Sequence, residues 1–177
     1  DDVEVRLQQA MILRNAQRVQ DAIDVLNGVL EKNPKQSTAL QSRADALLSI
    51  GKQQEAIADY RAALEIEDKN ATLLNNLAWV MSTSPKDELR DGKQAVELAT
   101  KACELTEYKR AFILSTLAAA YAEAGQFDDA IATAQRAIEL ARATGEEPTA
   151  QTYAARLALY RSGQPYREPP ALAKQGA

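Results

Sequence analysis

Few residues in this 177-residue chain could take part in covalent or metal chemistry. There is no histidine, which excludes the usual zinc sites and every histidine-based catalytic triad. The single cysteine, Cys103, has no histidine to take its proton. It follows Ala102 in a helical pattern and reads as a buried core thiol. No glycine-rich phosphate loop is present. The carboxylate pairs Asp128–Asp129, Glu65–Glu67 and Glu146–Glu147 fall at helix starts, ends or turns, where solvation and the helix dipole account for them. The expectation is a chain that is not an enzyme and holds no cofactor and no metal. What remains for recognition is Trp79, the only tryptophan and a residue type favoured at binding hot spots.

The elements that must position this residue are helical. Hydrophobic residues make up 46% of the chain, many of them alanine, while aromatics are only 5%. That balance suits closely packed helices better than sheets. A formal charge of −4 argues against nucleic acid, which needs a basic surface. The longest apolar run, 111–122, is interrupted by Ser115 and Thr116 and falls short of the ~20 residues needed to cross a bilayer, so no membrane insertion is expected. A lone cysteine fits a reducing compartment, and both cytoplasm and bacterial periplasm stay open. The chain opens on Asp1 and not Met, which leaves a signal peptide or a preceding domain open.

A repeat runs through the chain. Ala22 and Ala56 are 34 residues apart, as are Ala10 and Ala44, and Val29 and Ala63; Ala95 and Ala130 are 35 apart, and Ala78 and Ala118 are 40 apart. The period is thus 34 with an insertion in the third unit. The units are 3–36, 37–70, 71–110 and 111–144, followed by a capping helix over 149–161. Together these fill a domain over 1–162, and a proline-containing extended tail occupies 163–177. Asn33-Pro34 ends the second helix of unit one, Ser37 fits an N-cap, and Gly51 and Gly125 end first helices. The third unit carries a loop over 82–92, STSPKDELRDG, with Ser84-Pro85 and Asp91-Gly92 as turn signals.

The pattern Leu40, Ala44, Leu47, Gly51, Ala56, Tyr60, Ala63 in unit two, and Leu114, Leu117, Ala118, Tyr121, Gly125, Ala130, Ala137 in unit four, resembles the tetratricopeptide repeat family. The long loop, with LNNLAW before it and AVELATKACELT after it, is similar to a bacterial branch with a lengthened third repeat. The resemblance implies an all-α fold, an α-solenoid of four helix–turn–helix repeats plus a C-terminal capping helix, whose faces bury one another only when stacked. Unit one departs from the pattern at Arg6 and Gln9, so its first helix is expected to face solvent or to join something else. In the last helix Arg156 takes the small-residue position. Ala155, Leu159 and Tyr153 are expected to cover unit four, with the helix's charges facing water.

In this family the first helices line a concave face. The resemblance therefore implies partner-binding positions at Gln8, Met11, Gln41, Asp45, Asn75, Asn76, Trp79, Phe112, Ser115 and Thr116. A carboxylate clamp is rejected, because the lysines and arginines it needs are missing and only Asn76 matches. An asparagine ladder is weakly matched, the sixth positions reading Gln8, Ser42, Asn76 and Thr116. The first helices of units three and four carry no charge until Glu123. Such a face is either covered or an interaction site, and the tail, bearing Tyr166, is one candidate cover. The functional expectation is a non-enzymatic scaffold that binds a protein or extended peptide on its concave face. The alternatives are a self-assembling module that pairs through its tails and a C-terminal recruiting domain of a larger enzyme.

Overall fold

The computed structural model describes residues 2–170. Among them are nine α-helices, one 3₁₀ turn and no strand. The expected tail residues 171–177 lie outside the described part. Contacts divide the chain into two units, one over residues 2–68 and the other over Lys69–Pro169.

The first unit holds α1 (Val3–Asn15), α2 (Val19–Lys32), α3 (Ser37–Ser49) and α4 (Gln53–Ile66). Each helix packs on the next, and α1 also touches α3. The contacts are close because alanine stands at them. Ala10, Ala22, Ala44, Ala56 and Ala63 are each no more than 1% exposed, and a larger side chain at such a site costs about 1–3 kcal/mol in overpacking. Leu26, Val29 and Tyr60 fill the space between. The open side of α1 carries exposed Val5, Met11 and Ile12, and of its thirteen residues only Ala10 is buried. Arg43 of α3 is the polar centre of this unit. Its Nε and Nη2 each donate to Asp59 at 2.7 Å, and Nη1 donates to Asn27 at 2.8 Å, linking α2, α3 and α4. Such a fork-on-carboxylate pair fixes orientation as well as distance.

The second unit holds α5 (Ala71–Thr83), the 3₁₀ turn Asp87–Leu89, α6 (Gly92–Leu105), α7 (Ala111–Glu123), α8 (Phe127–Ala143) and α9 (Glu147–Arg161). Helices again pack in chain order, and α5 also packs on α7. Ala78, Ala95, Ala118, Ala130 and Ala137 repeat the close contacts at no more than 1% exposure. The uncharged helices are largely buried, nine of thirteen residues in α5 and ten of thirteen in α7.

The turns follow one recipe. Lys52 donates its amide to the Leu47 carbonyl at 2.9 Å and Gln126 donates to Tyr121 at 2.8 Å. Between them the chain reverses through Gly51 and Gly125 at φ 79° and 77°, the left-handed cap that glycine adopts without strain. Arg18 closes the same bond to Leu13 at 2.8 Å, but the left-handed residue there is Gln17, at φ 61°.

Three local expectations are corrected. Ser37 is the first residue of α3 and not its cap. Gln36 occupies the cap position without a side-chain bond, because the turn after Pro34 brings the chain into the helix one residue early. The third-unit loop is shorter than 82–92. Ser82 and Thr83 belong to α5, their hydroxyls bonded back to the Ala78 and Trp79 carbonyls. Gly92 opens α6 with Asp91 as its N-cap, the Asp91 carboxylate accepting from the Gln94 amide at 2.9 Å. Gly92 is therefore more than a turn residue. A Cβ there would stand 2.6 Å from the Ala124 nitrogen and 2.7 Å from the Glu123 carbonyl carbon, so its bareness lets the start of α6 touch the end of α7.

Two substitutions test this account in opposite directions. Gln17→Gly should raise the urea midpoint by the equivalent of about 1 kcal/mol, the order of the left-handed penalty it relieves. Gly92→Ala should lower stability by about 1–3 kcal/mol, since backbone and not a flexible side chain would have to give way. A neutral Gly92→Ala would contradict the close approach.

Candidate functional site

The structure distributes the ten expected partner-binding residues unevenly. In the first unit Gln8 and Met11 are exposed, Met11 at 56%, while Gln41 and Asp45 are half-buried. Asp45 is engaged within the unit: it accepts from the Tyr60 hydroxyl and lies 3.6 Å from Arg14. In the second unit Phe112 is exposed at 40%, beneath the Arg110 guanidinium at 5.4 Å. Asn76 and Trp79 are half-buried. Asn75, Ser115 and Thr116 are buried, which corrects their placement on an open face. Thr116 bonds back to the Phe112 carbonyl at 3.2 Å, Asn75 donates to the Asn76 Oδ1 at 3.2 Å, and Ser115 accepts from Arg156 at 3.0 Å. The Asn75 Oδ1 is buried with no hydrogen-bond partner.

Arg156 explains part of this cover. Its expected orientation toward water is overturned. The guanidinium lies 4.6 Å above the Trp79 ring and 4.7 Å from the Tyr166 ring, with Tyr153 at 5.8 Å. A planar cation that meets two neighbouring rings gains quadrupole attraction from each, and arginine stacks better than lysine in such a place. Trp79 and Tyr166 also meet directly, ring centroids 5.9 Å apart. The capping surface of α9 differs from expectation too: Ala150, Tyr153, Leu157 and Tyr160 are buried, Leu159 is half-buried, and Ala155 faces out. Burial pushes the Tyr160 hydroxyl up to about 12, so it stays neutral.

The rest of the cover is the stretch 164–169. It has no regular secondary structure and lies against α5, α7 and α9. The Glu168 amide donates to the Thr83 carbonyl at 2.8 Å, one of the last carbonyls of α5, which lack partners inside the helix. Arg167 reaches the Ser82 carbonyl at 3.4 Å and pairs with Glu123 at 2.6 Å. Glu123 receives a second arginine on its other oxygen: Arg90, from the third-repeat loop, donates to Oε1 at 3.0 Å. Arg90 in turn bonds the Ser84 carbonyl at 2.8 Å and pairs with Asp87. The first charge on α7 is therefore the joint between inserted loop and tail. Sequence reasoning missed Glu123, Arg156, Arg90 and Arg167 as a group. Two signals pointed to them: an arginine at a position that elsewhere holds alanine, and a single acid ending an uncharged helix.

No group of three or more metal-ligating side chains occurs among the described residues, and no described helix is long and apolar enough to cross a membrane. Cys103 is fully buried.

Helix pairs packed through buried alanines, glycine-type reversals and an extended stretch along α5, α7 and α9 define a helical repeat protein of the solenoid class. The chain belongs to the tetratricopeptide repeat family, whose sequence profiles match residues 7–71 and 113–144. Repeats of this family are protein-interaction scaffolds. Among solved structures the chain is similar to PilF of Pseudomonas aeruginosa, with a TM-score of 0.72 and 21% identity over 90% of this chain and 68% of that one. It is similar to PilW, described as a widely conserved type IV pilus biogenesis factor, at 0.67 and 20% identity over 90% and 77%. A MamA structure from Desulfovibrio magneticus gives 0.68 and 14% identity over 91% and 96%. At these identities the likeness speaks for the fold. No curated protein matches the chain.

Burial raises the Cys103 thiol from 9.0 to about 11. As the pH climbs from 9 toward 11 the unfolded thiol loses its proton while the folded one keeps it, so this residue withdraws stability across that window. At pH 8 a thiol reagent should label Cys103 only through unfolding, on the order of a hundredfold slower than in denatured chain. Labelling as fast in native as in denatured protein would contradict the burial.

Proposed function

We propose that the chain is a non-enzymatic interaction scaffold that takes an extended segment of a partner protein on its first-helix faces. The observation that carries this reading is the stretch 164–169. The face of α5, α7 and α9 already holds an extended segment, using interactions that any polypeptide of suitable order can offer. A helix-end carbonyl receives a main-chain amide, an aromatic ring meets Trp79 and Arg156, and a cation meets Glu123. Aromatic and arginine anchors are the groups that dominate binding energy at protein interfaces. In the first unit, Gln8 and Met11 offer a free amide and a deformable thioether on the corresponding helix, chemistry suited to adaptable contacts. Within the same unit Gln41, half-buried on α3, adds a second amide.

A position-specific cross-linking experiment tests the reading. A photoreactive residue placed at Gln8, Met11 or Phe112, on first helices, should capture a partner. The same residue at exposed Asp24, Glu65 or Glu139, on second helices, should not. Equal yields from the two sets would refute the face assignment.

A further inference from the structure

The stretch 164–169 is more than a frayed end. It is turned back onto the helices by a defined device. Gly163 sits at φ 70° and the Gln164 amide donates to the Leu159 carbonyl at 3.0 Å, the same left-handed reversal that joins helices elsewhere in the chain. Here the reversal leads into Pro165, whose fixed φ favours an extended course. Yet the seat is made of few contacts. Pro165, Tyr166, Arg167 and Glu168 remain half-buried and Pro169 is exposed. The Glu168 amide on Thr83, the Tyr166 ring against Trp79 and Arg156, and the Arg167 guanidinium on Glu123 and the Ser82 carbonyl hold it, all of a kind that another segment can replace.

We propose that residues 164–169 are a tethered ligand of this scaffold, closing the α5–α7–α9 face until an extended partner segment of matching chemistry displaces them. This rests on the scaffold reading above and names the partner class. The seat prescribes an order. Arg156 lies against Trp79, and an aromatic ring must sit beside both, near the guanidinium and in contact with the indole. The next residue must be an arginine, able to pair with Glu123 while reaching the Ser82 carbonyl. The residue after that must donate its amide to Thr83 and so cannot be proline. An aromatic–arginine–non-proline triplet in an extended stretch, with proline before the ring, meets all three demands.

Tethering gives the tail a high effective concentration, in the millimolar range for a short link. A free segment is bound only in the fraction of molecules whose face is open. Releasing the tail should therefore tighten binding of a competing peptide.

The test uses the full chain and a labelled, end-capped peptide of residues 163–170, GQPYREPP. Tyr166→Ala with Arg167→Glu in the chain releases the tail. The released chain should bind the peptide at least about tenfold more tightly than the wild type, with Trp79 emission shifting on release and reverting on peptide addition. A peptide with proline in place of the Glu168 equivalent should lose at least about tenfold. Should the double variant lose helical circular dichroism, Glu168→Pro in the full chain changes the tail alone and repeats the comparison. Equal affinity of wild-type and released chains would overturn the tether and leave the scaffold reading standing. Absence of peptide binding by a folded, released chain would overturn both for this face. A wild-type dimer that the tail substitutions dissolve would place the tail on a second copy and overturn the tether within one chain.

Discussion

Everything in this fold depends on how closely two helices can approach, and alanine sets that distance. At Ala10, Ala22, Ala44, Ala56, Ala78, Ala95, Ala118 and Ala130 no atom beyond Cβ separates one helix from its neighbour, and all eight are shut off from solvent. Close approach brings the surrounding leucines and tyrosines into contact and makes each helix pair a thin slab. A slab has two apolar faces, so one pair cannot stand alone and the pattern must recur. The 34-residue period is the chemical consequence. The same constraint acts once more at Gly92, where the approach is tighter than alanine allows and backbone meets backbone.

A structure built this way has a problem where the pattern stops. At α9 the small-residue position carries Arg156, which would be ruinous between two packed helices. Its guanidinium instead turns to Trp79 and to Tyr166, which meets the indole beside it. The uncharged faces of α5 and α7 are thereby roofed by one cation, one ring and an extended strand of backbone. Glu123 supplies the only acid on either helix, and it is shared between Arg90 and Arg167. The inserted loop of the third repeat thus acquires a role: it delivers the arginine that orients the acid the tail needs.

The helices, their period and their reversals were legible in the sequence because they rest on local chemistry. Gly51 and Gly125 announce left-handed caps, and alanines at 34-residue spacing announce crossings. What could not be read depends on residues far apart in the chain. Arg156 looked like a surface charge on an end helix, since nothing near it in sequence reveals Trp79 beneath it. Ser115 and Thr116 looked like an open hydrogen-bonding face and are buried, and the group that bonds the Ser115 hydroxyl, Arg156, comes from α9, far along the chain. Gly92 carried the spelling of a turn, but its backbone contact with α7 lies more than 30 residues away. Gln17 shows the converse: a left-handed cap without glycine, where the 6→1 hydrogen bond holds a residue that the sequence does not mark. The Arg43–Asp59–Asn27 network escaped for the same reason as Arg156, its partners lying on three helices.

The central claim is that the chain closes its own first-helix face with residues 164–169. The Glu168 amide reports on it directly, since its only partner on the helices is the Thr83 carbonyl. Hydrogen exchange followed residue by residue should find that amide slowed at least about tenfold relative to free chain, and returned to the free-chain rate by Tyr166→Ala while amides in the middle of α7 stay protected. A Glu168 amide that exchanges at the free-chain rate in the wild-type protein would contradict the account.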